Sequence, residues 1–172
     1  MSNSNDFPKD SGSLVSDFSL STARGKHYSS RPTRSNGLLL IVLFRSGCET
    51  CHYSAPFLQR FHTLYAETSG ERFQIWGVSQ DDEEESADFT AEHGLTFPIL
   101  LDEQLQVSED YGVVSVPDLY LLDSSKNIVG AVVGGFSRDG FNALAQQIAG
   151  YLGVPYQPVV RDEDKARLLK PG

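Results

Sequence analysis

The chain has 172 residues, enough for one domain with a substantial core and short for two. Hydrophobic residues make up 40% and aromatic residues 10%, a globular composition that argues against disorder. The net charge of −9 repels phosphate backbones and anionic lipid surfaces, so neither nucleic acid nor a membrane is expected as a partner.

Residues 1–15 are polar and rich in Ser, Asn and Asp, which predicts a flexible tail. They lack the apolar stretch of a leader peptide, and no apolar run in the chain reaches spanning length. The expectation is therefore a soluble, cytoplasmic protein. Ser16 to Ser35 alternates weakly through Phe18, Leu20, His27 and Tyr28, which suggests a short hairpin turning at Arg24-Gly25. The run from Leu38 to Phe44 is continuously apolar, as in a strand buried on both faces of a mostly parallel sheet. Both cysteines follow, and then Phe57, Phe61, Leu64 and Tyr65 recur at helical spacing up to Gly70.

Phe73, Ile75, Trp76 and Val78 predict the next strand, and the acidic run Asp81 to Glu85 opens a helix ending at Gly94. That run reads as a solvated helix start, not a metal site, because nothing else with ligand spacing is near it. A short strand at Pro98 to Leu101 and a short helix from Asp102 to Tyr111 come next. Leu119 to Leu122 and Ile128 to Val133 predict an antiparallel pair. Phe141, Leu144, Ala145, Ile148 and Leu152 predict a last amphipathic helix. From residue 154 the chain is charged and proline-containing, an extended C-terminal tail over 154–172. The order of strands and helices predicts an α/β domain, a mixed sheet with helices on both faces.

The segment Cys48-Glu49-Thr50-Cys51-His52 fits four chemistries: haem attachment, a redox dithiol, half of a zinc site, or a structural disulfide. Its surroundings narrow the choice. A buried strand leads into Cys48-x-x-Cys51, and Pro56 follows at a fixed distance. Gly77-Val78-Ser79 ends the next strand, Phe97-Pro98-Ile99-Leu100-Leu101-Asp102 follows, and Tyr111 to Pro117 leads into the late hairpin. Together these resemble the thioredoxin-like fold and, within it, the TlpA-like, redoxin (AhpC/TSA-related) thiol-disulfide oxidoreductases. The resemblance covers about residues 16–153, taken as the thioredoxin-like domain. It implies a three-layer fold, a cis bond between Val116 and Pro117 beside the sulfurs, and no cofactor beyond a redox-active disulfide. It also implies protein or small-molecule disulfide substrates and a separate reducing partner. This sequence departs from the family at Gly47, Ser54, Val42 and Asp118. The glutamate usual after the cysteine pair is Ser54, and the aspartate that thioredoxin buries in the preceding strand is Val42.

Exchange needs an accessible thiolate and a second thiol to resolve the mixed disulfide. Cys48, at a helix start, is expected to attack, since unsatisfied N–H groups and the helix dipole favour its anion. Cys51, one turn further in, is expected to resolve. Arg45 would favour a thiolate and Glu49 would oppose it. Thr50 lies between the cysteines, and the backbone of Val116 beside Pro117 is positioned to pair with an extended substrate. Asp118, following that proline, is a candidate proton acceptor for Cys51, or else an ordinary exposed aspartate at a strand end.

The rival readings are weaker. Haem attachment would need a second axial ligand from His27, His62 or His93, and an export signal. Zinc would need a second ligand pair, so no metal is expected. A peroxiredoxin, the nearest alternative, needs Pro-x-x-x-Thr/Ser-x-x-Cys. Counting back from Cys48 those places hold Ile41 and Arg45, and from Cys51 they hold Phe44 and Cys48. A non-catalytic thioredoxin-like interaction module is the remaining alternative.

Overall fold

The computed structural model describes residues 12–30 and 37–172, so most of the predicted N-terminal tail lies outside the described residues. Leu14 already bridges to Asn127, and Val15 is buried. The predicted hairpin is present: β1 (Ser19–Ser21) pairs antiparallel with β2 (His27–Ser29), and Gly25 occupies the turn with φ of +78°. Its tip leans on the main sheet through a bridge between Thr22 and Leu100.

The apolar run forms β3 (Leu38–Phe44), which pairs parallel with β4 (Phe73–Ser79). Beyond β4 lies β5 (Ile99–Leu101), also parallel. On the other side β3 pairs antiparallel with β6 (Asp118–Leu122), which pairs with β7 (Ile128–Val132). The order β5-β4-β3-β6-β7 puts β3 in the middle, which accounts for its lack of polar side chains. This is the mixed-sheet thioredoxin-like fold.

Alternation along the strands separates two cores. Leu40, Val42 and Phe44 of β3 and Leu119 and Leu121 of β6 face the side that holds both cysteines. There they meet α1 (Glu49–Phe61), Phe89 of α3 (Glu83–His93) and the apolar stripe of α5 (Arg138–Leu152). Ile41, Leu43, Trp76, Tyr120 and Leu122 face the other side. That side is covered by Val107 of α4 (Gln106–Asp110), by Tyr111, and by Val15 and Phe18 from the N-terminal segment. Each fully buried Leu, Ile or Phe contributes about 1.5–3 kcal/mol, so the two cores dominate the stability of the domain.

The helix after the cysteines does not stop at Phe61. It runs on through a π-helical turn at His62–Ala66 and α2 (Glu67–Ser69) to Gly70. The acidic run behaves as predicted: Asp82 caps α3 by accepting from the Glu85 N–H. The segment 154–172 is extended for much of its length but packed against the domain. Val159 and Val160 are buried in the α1/α5 core, Arg60 pairs with Asp164, and Tyr65 donates to the Gln157 carbonyl. Its end, β9 (Leu169–Pro171), pairs antiparallel with β8 (Gly135–Ser137), the strand entering α5.

Candidate active site

The chain leaves β3 and enters α1 at the cysteines, with Cys48 just before the helix and Cys51 in its first turn. Cys48 is the N-cap of α1 with extended backbone, and its sulfur accepts the Cys51 N–H at 3.1 Å. Cys48 also donates its S–H to the Val116 carbonyl at 3.2 Å. The bond between Val116 and Pro117 is cis, as the resemblance implied. Cys48 is 7% exposed and Cys51 1%, so the first sulfur is the more reachable. Both are free thiols. Burial pushes the Cys51 thiol pKa well up, and its hydrogen bond with Cys48 pushes the same way; the Arg45 backbone bond and guanidinium pull it down. Arg45 thus acts on the resolving sulfur.

The other predicted residues divide. Thr50 is buried and donates to the Pro171 carbonyl at 2.5 Å. Glu49 faces solvent and pairs with Lys170 at 3.0 Å, which holds its carboxyl below the usual range. Arg45, Cys48, Thr50 and Val116 line one cleft, together with Gln80 and the chain end at Lys170 to Gly172.

Asp118 is neither exposed nor beside Cys51. It is 1% exposed, and it pairs in register with Leu43, so its side chain shares the face of Leu43 and Tyr120. Cys51 packs on the opposite face, with Val42, Leu119 and Leu121. The Asp118 carboxylate accepts the Gly134 N–H at 2.6 Å and the Tyr120 hydroxyl at 3.2 Å. Burial raises its pKa, and those two hydrogen bonds oppose the rise. Strand parity, invisible in the motif, puts Asp118 across the sheet from the sulfur.

The site also contains what the motifs did not indicate. The backbone of residues 169–172 runs beside Val116, and a side chain on Gly172 would collide with the Val116 carbonyl. The only sequence signal for this packed segment was the apolar pair Val159-Val160 inside a charged stretch. His52 is half-buried in the first turn of α1, hydrogen-bonded to the Ser46 carbonyl and to His93. Haem cannot reach both sulfurs here, because Cys51 lies in the core.

Comparison with known proteins supplies the remaining findings. The AhpC/TSA family model matches residues 11–131. The thiol-disulfide oxidoreductase ResA of Geobacillus thermodenitrificans is 28% identical over 138 residues, 80% of this chain and 77% of that protein. The thioredoxin-like protein YneN of Bacillus subtilis is 28% identical over 127 residues, 74% of each chain. Among solved structures, a protein assigned as the thiol:disulfide interchange protein DsbE of Chlorobium tepidum superposes with a TM-score of 0.72 at 26% identity. The match covers 84% of this chain and 99% of that one. These matches correct the cytoplasmic expectation, since oxidoreductases of the ResA and DsbE kind are characteristically periplasmic or membrane-associated. The lack of an apolar stretch at the start of the sequence was no guide to compartment. Among the described residues no helix is long and apolar enough to cross a membrane.

Proposed function

We propose that this chain, which belongs to the AhpC/TSA family and is a thiol-disulfide oxidoreductase, works with Cys48 as the attacking sulfur and Cys51 as the resolving one. The Cys48 thiolate displaces one sulfur of a substrate disulfide, which leaves as a thiolate and takes up a proton. The mixed disulfide is then attacked by Cys51 after it loses its own proton. The second substrate sulfur leaves, and a Cys48–Cys51 disulfide remains. A dithiol reductant restores both thiols by the reverse exchange.

The observation that carries this assignment is the position of Cys48. Its sulfur sits at a helix N-terminus and accepts the Cys51 N–H, an interaction that strengthens when the sulfur is charged. Cys51 is more covered and its proton is held more tightly, as suits a thiol that acts only once the mixed disulfide brings a sulfur to it. The Arg45 backbone bond and guanidinium favour the Cys51 thiolate at that step. Cys48, Thr50 and Val116 share a cleft with residues 170–172, which lie against Thr50 and Val116. An extended substrate segment reaches the Val116 backbone by displacing those residues, and protein disulfides are the proposed substrates. Residues 16–153 hold this machinery, and 154–172 packs along it.

One limiting equivalent of iodoacetamide at neutral pH, followed by peptide mapping, tests the roles. Cys48 is expected to carry the label. Cys51→Ser should accumulate mixed disulfides through Cys48, and Cys48→Ser few. Preferential labelling of Cys51 would reverse the roles.

A further inference from the structure

We propose that His52, Glu92 and His93 form a binding site for a divalent transition-metal ion of the zinc class, beside the dithiol and separate from it. The three side chains come from two elements, His52 from the first turn of α1 and the other two from the end of α3. One ligand atom from each lies within 4.8 Å of the others. Two imidazoles and a carboxylate make a donor set suited to such an ion, with water completing a four-coordinate shell.

The hydrogen bonds fix how His52 presents itself. Its Nε2 lies 2.7 Å from the Ser46 carbonyl, which can only accept, so Nε2 carries the proton. In the neutral ring Nδ1 is then a bare lone pair, and it points at His93 Nε2, 2.7 Å away. A ligating histidine that donates its other N–H to a backbone carbonyl is the usual outer-shell arrangement at metal sites. Glu92 Oε2 stands 3.7 Å from the same Nδ1, on an exposed side chain free to swing inward. Both rings rest against Phe89, at centroid distances of 4.9 and 4.6 Å, which limits their rotation.

Without metal, His93 donates its Nε2 proton to His52. With metal, neutral His93 carries its proton on Nδ1 instead, and both facing nitrogens offer lone pairs. Starting from the neutral pair, no net proton is released. The two nitrogens must move apart from 2.7 Å to about 3.3 Å, the separation of two ligands at about 2.0 Å in a tetrahedral shell. That is a small rotation at the solvent-facing end of α3. The ion would join the first turn of α1 to the end of α3. His52 directly follows Cys51, so the joined turn is the one that holds the dithiol.

The test is calorimetric titration of Zn2+ into the oxidised protein, where the Cys48–Cys51 disulfide removes both thiolates as competing ligands. Saturable binding of one equivalent is expected. Loss of a ligand should cost at least the roughly 10–100-fold known for outer-shell losses, so His93→Gln should weaken binding by that much and Glu92→Gln measurably. His62→Gln, in the π-helical turn, should bind as the parent does. Co2+ should give tetrahedral visible bands without a thiolate charge-transfer band. No saturation below about millimolar zinc, well short of ordinary protein zinc sites, overturns the proposal. Binding that survives both His93→Gln and Glu92→Gln overturns it equally. Glu92 is exposed, so its variant remains informative if the change at His93 disturbs folding.

Discussion

Asp118 shows how a single residue can be well placed in a motif and badly placed for the chemistry. Its position after Pro117 made it a candidate acceptor for the Cys51 proton, but strand parity turned it to the Tyr120 face. Its carboxylate is buried and its pKa is raised, so folding favours the neutral form. The sign follows from linkage: this group's stabilising contribution is complete below the unfolded pKa, near 3.9, and is lost as pH rises through the raised folded value. Asparagine imitates the neutral form and keeps an acceptor for the Gly134 N–H. Asp118→Asn should therefore gain stability relative to the parent on going from pH 4 to pH 7, measured by urea unfolding at both. Its exchange turnover should stay within about twofold of the parent across that range, the scatter expected of a residue that touches no reacting atom. A resolution step slowed at neutral pH and rescued at alkaline pH would restore Asp118 as the base.

Among elements, those with a repeating pattern were legible and those without one were not. The apolar run of β3, the short apolar segments of β6 and β7 and the stripe of α5 each formed the element expected of it. The N-terminal hairpin appeared where Arg24-Gly25 placed its turn. The helix predicted to start at Asp102 begins only at Gln106, because Asp102 turns its buried carboxylate onto the Val107 and Ser108 N–H groups. β9 was illegible because three residues ending in proline carry no period, and its partner β8 is equally short. The pairing rests on Gly135, whose φ is +126° and whose missing side chain leaves room for the Lys170 carbonyl at 2.3 Å from where a Cβ would stand. Gly135→Ala should cost more than about 1 kcal/mol and release the end of the chain from the cleft. Faster alkylation of Cys48 and proteolytic nicking between residues 165 and 172 would report that release. Unchanged stability and an unchanged Cys48 rate would show that β9 does not govern access.

At the scale of the whole molecule, one sheet divides two interiors. The redox chemistry belongs to one of them, with α1, α3 and α5 over it. The N-terminal hairpin and α4 close the other. The cysteine motif identified the first interior from sequence. The second had no such marker, because its residues are spread from Val15 to Ile128 over the N-terminal segment, the strands of the sheet and α4. This partition has an optical consequence. The chain has one tryptophan, Trp76, and it lies on the far side of the sheet from the dithiol. The residue is 7% exposed, and its ring meets Tyr28 and Phe18 edge-on at 5.2 and 6.5 Å and donates to Gln74. Intrinsic fluorescence should therefore be nearly blind to oxidation of Cys48 and Cys51, while Tyr28→Ala, which uncovers the indole, should shift the emission to the red. Strong quenching on oxidation would mean that the sheet transmits the redox state from one interior to the other.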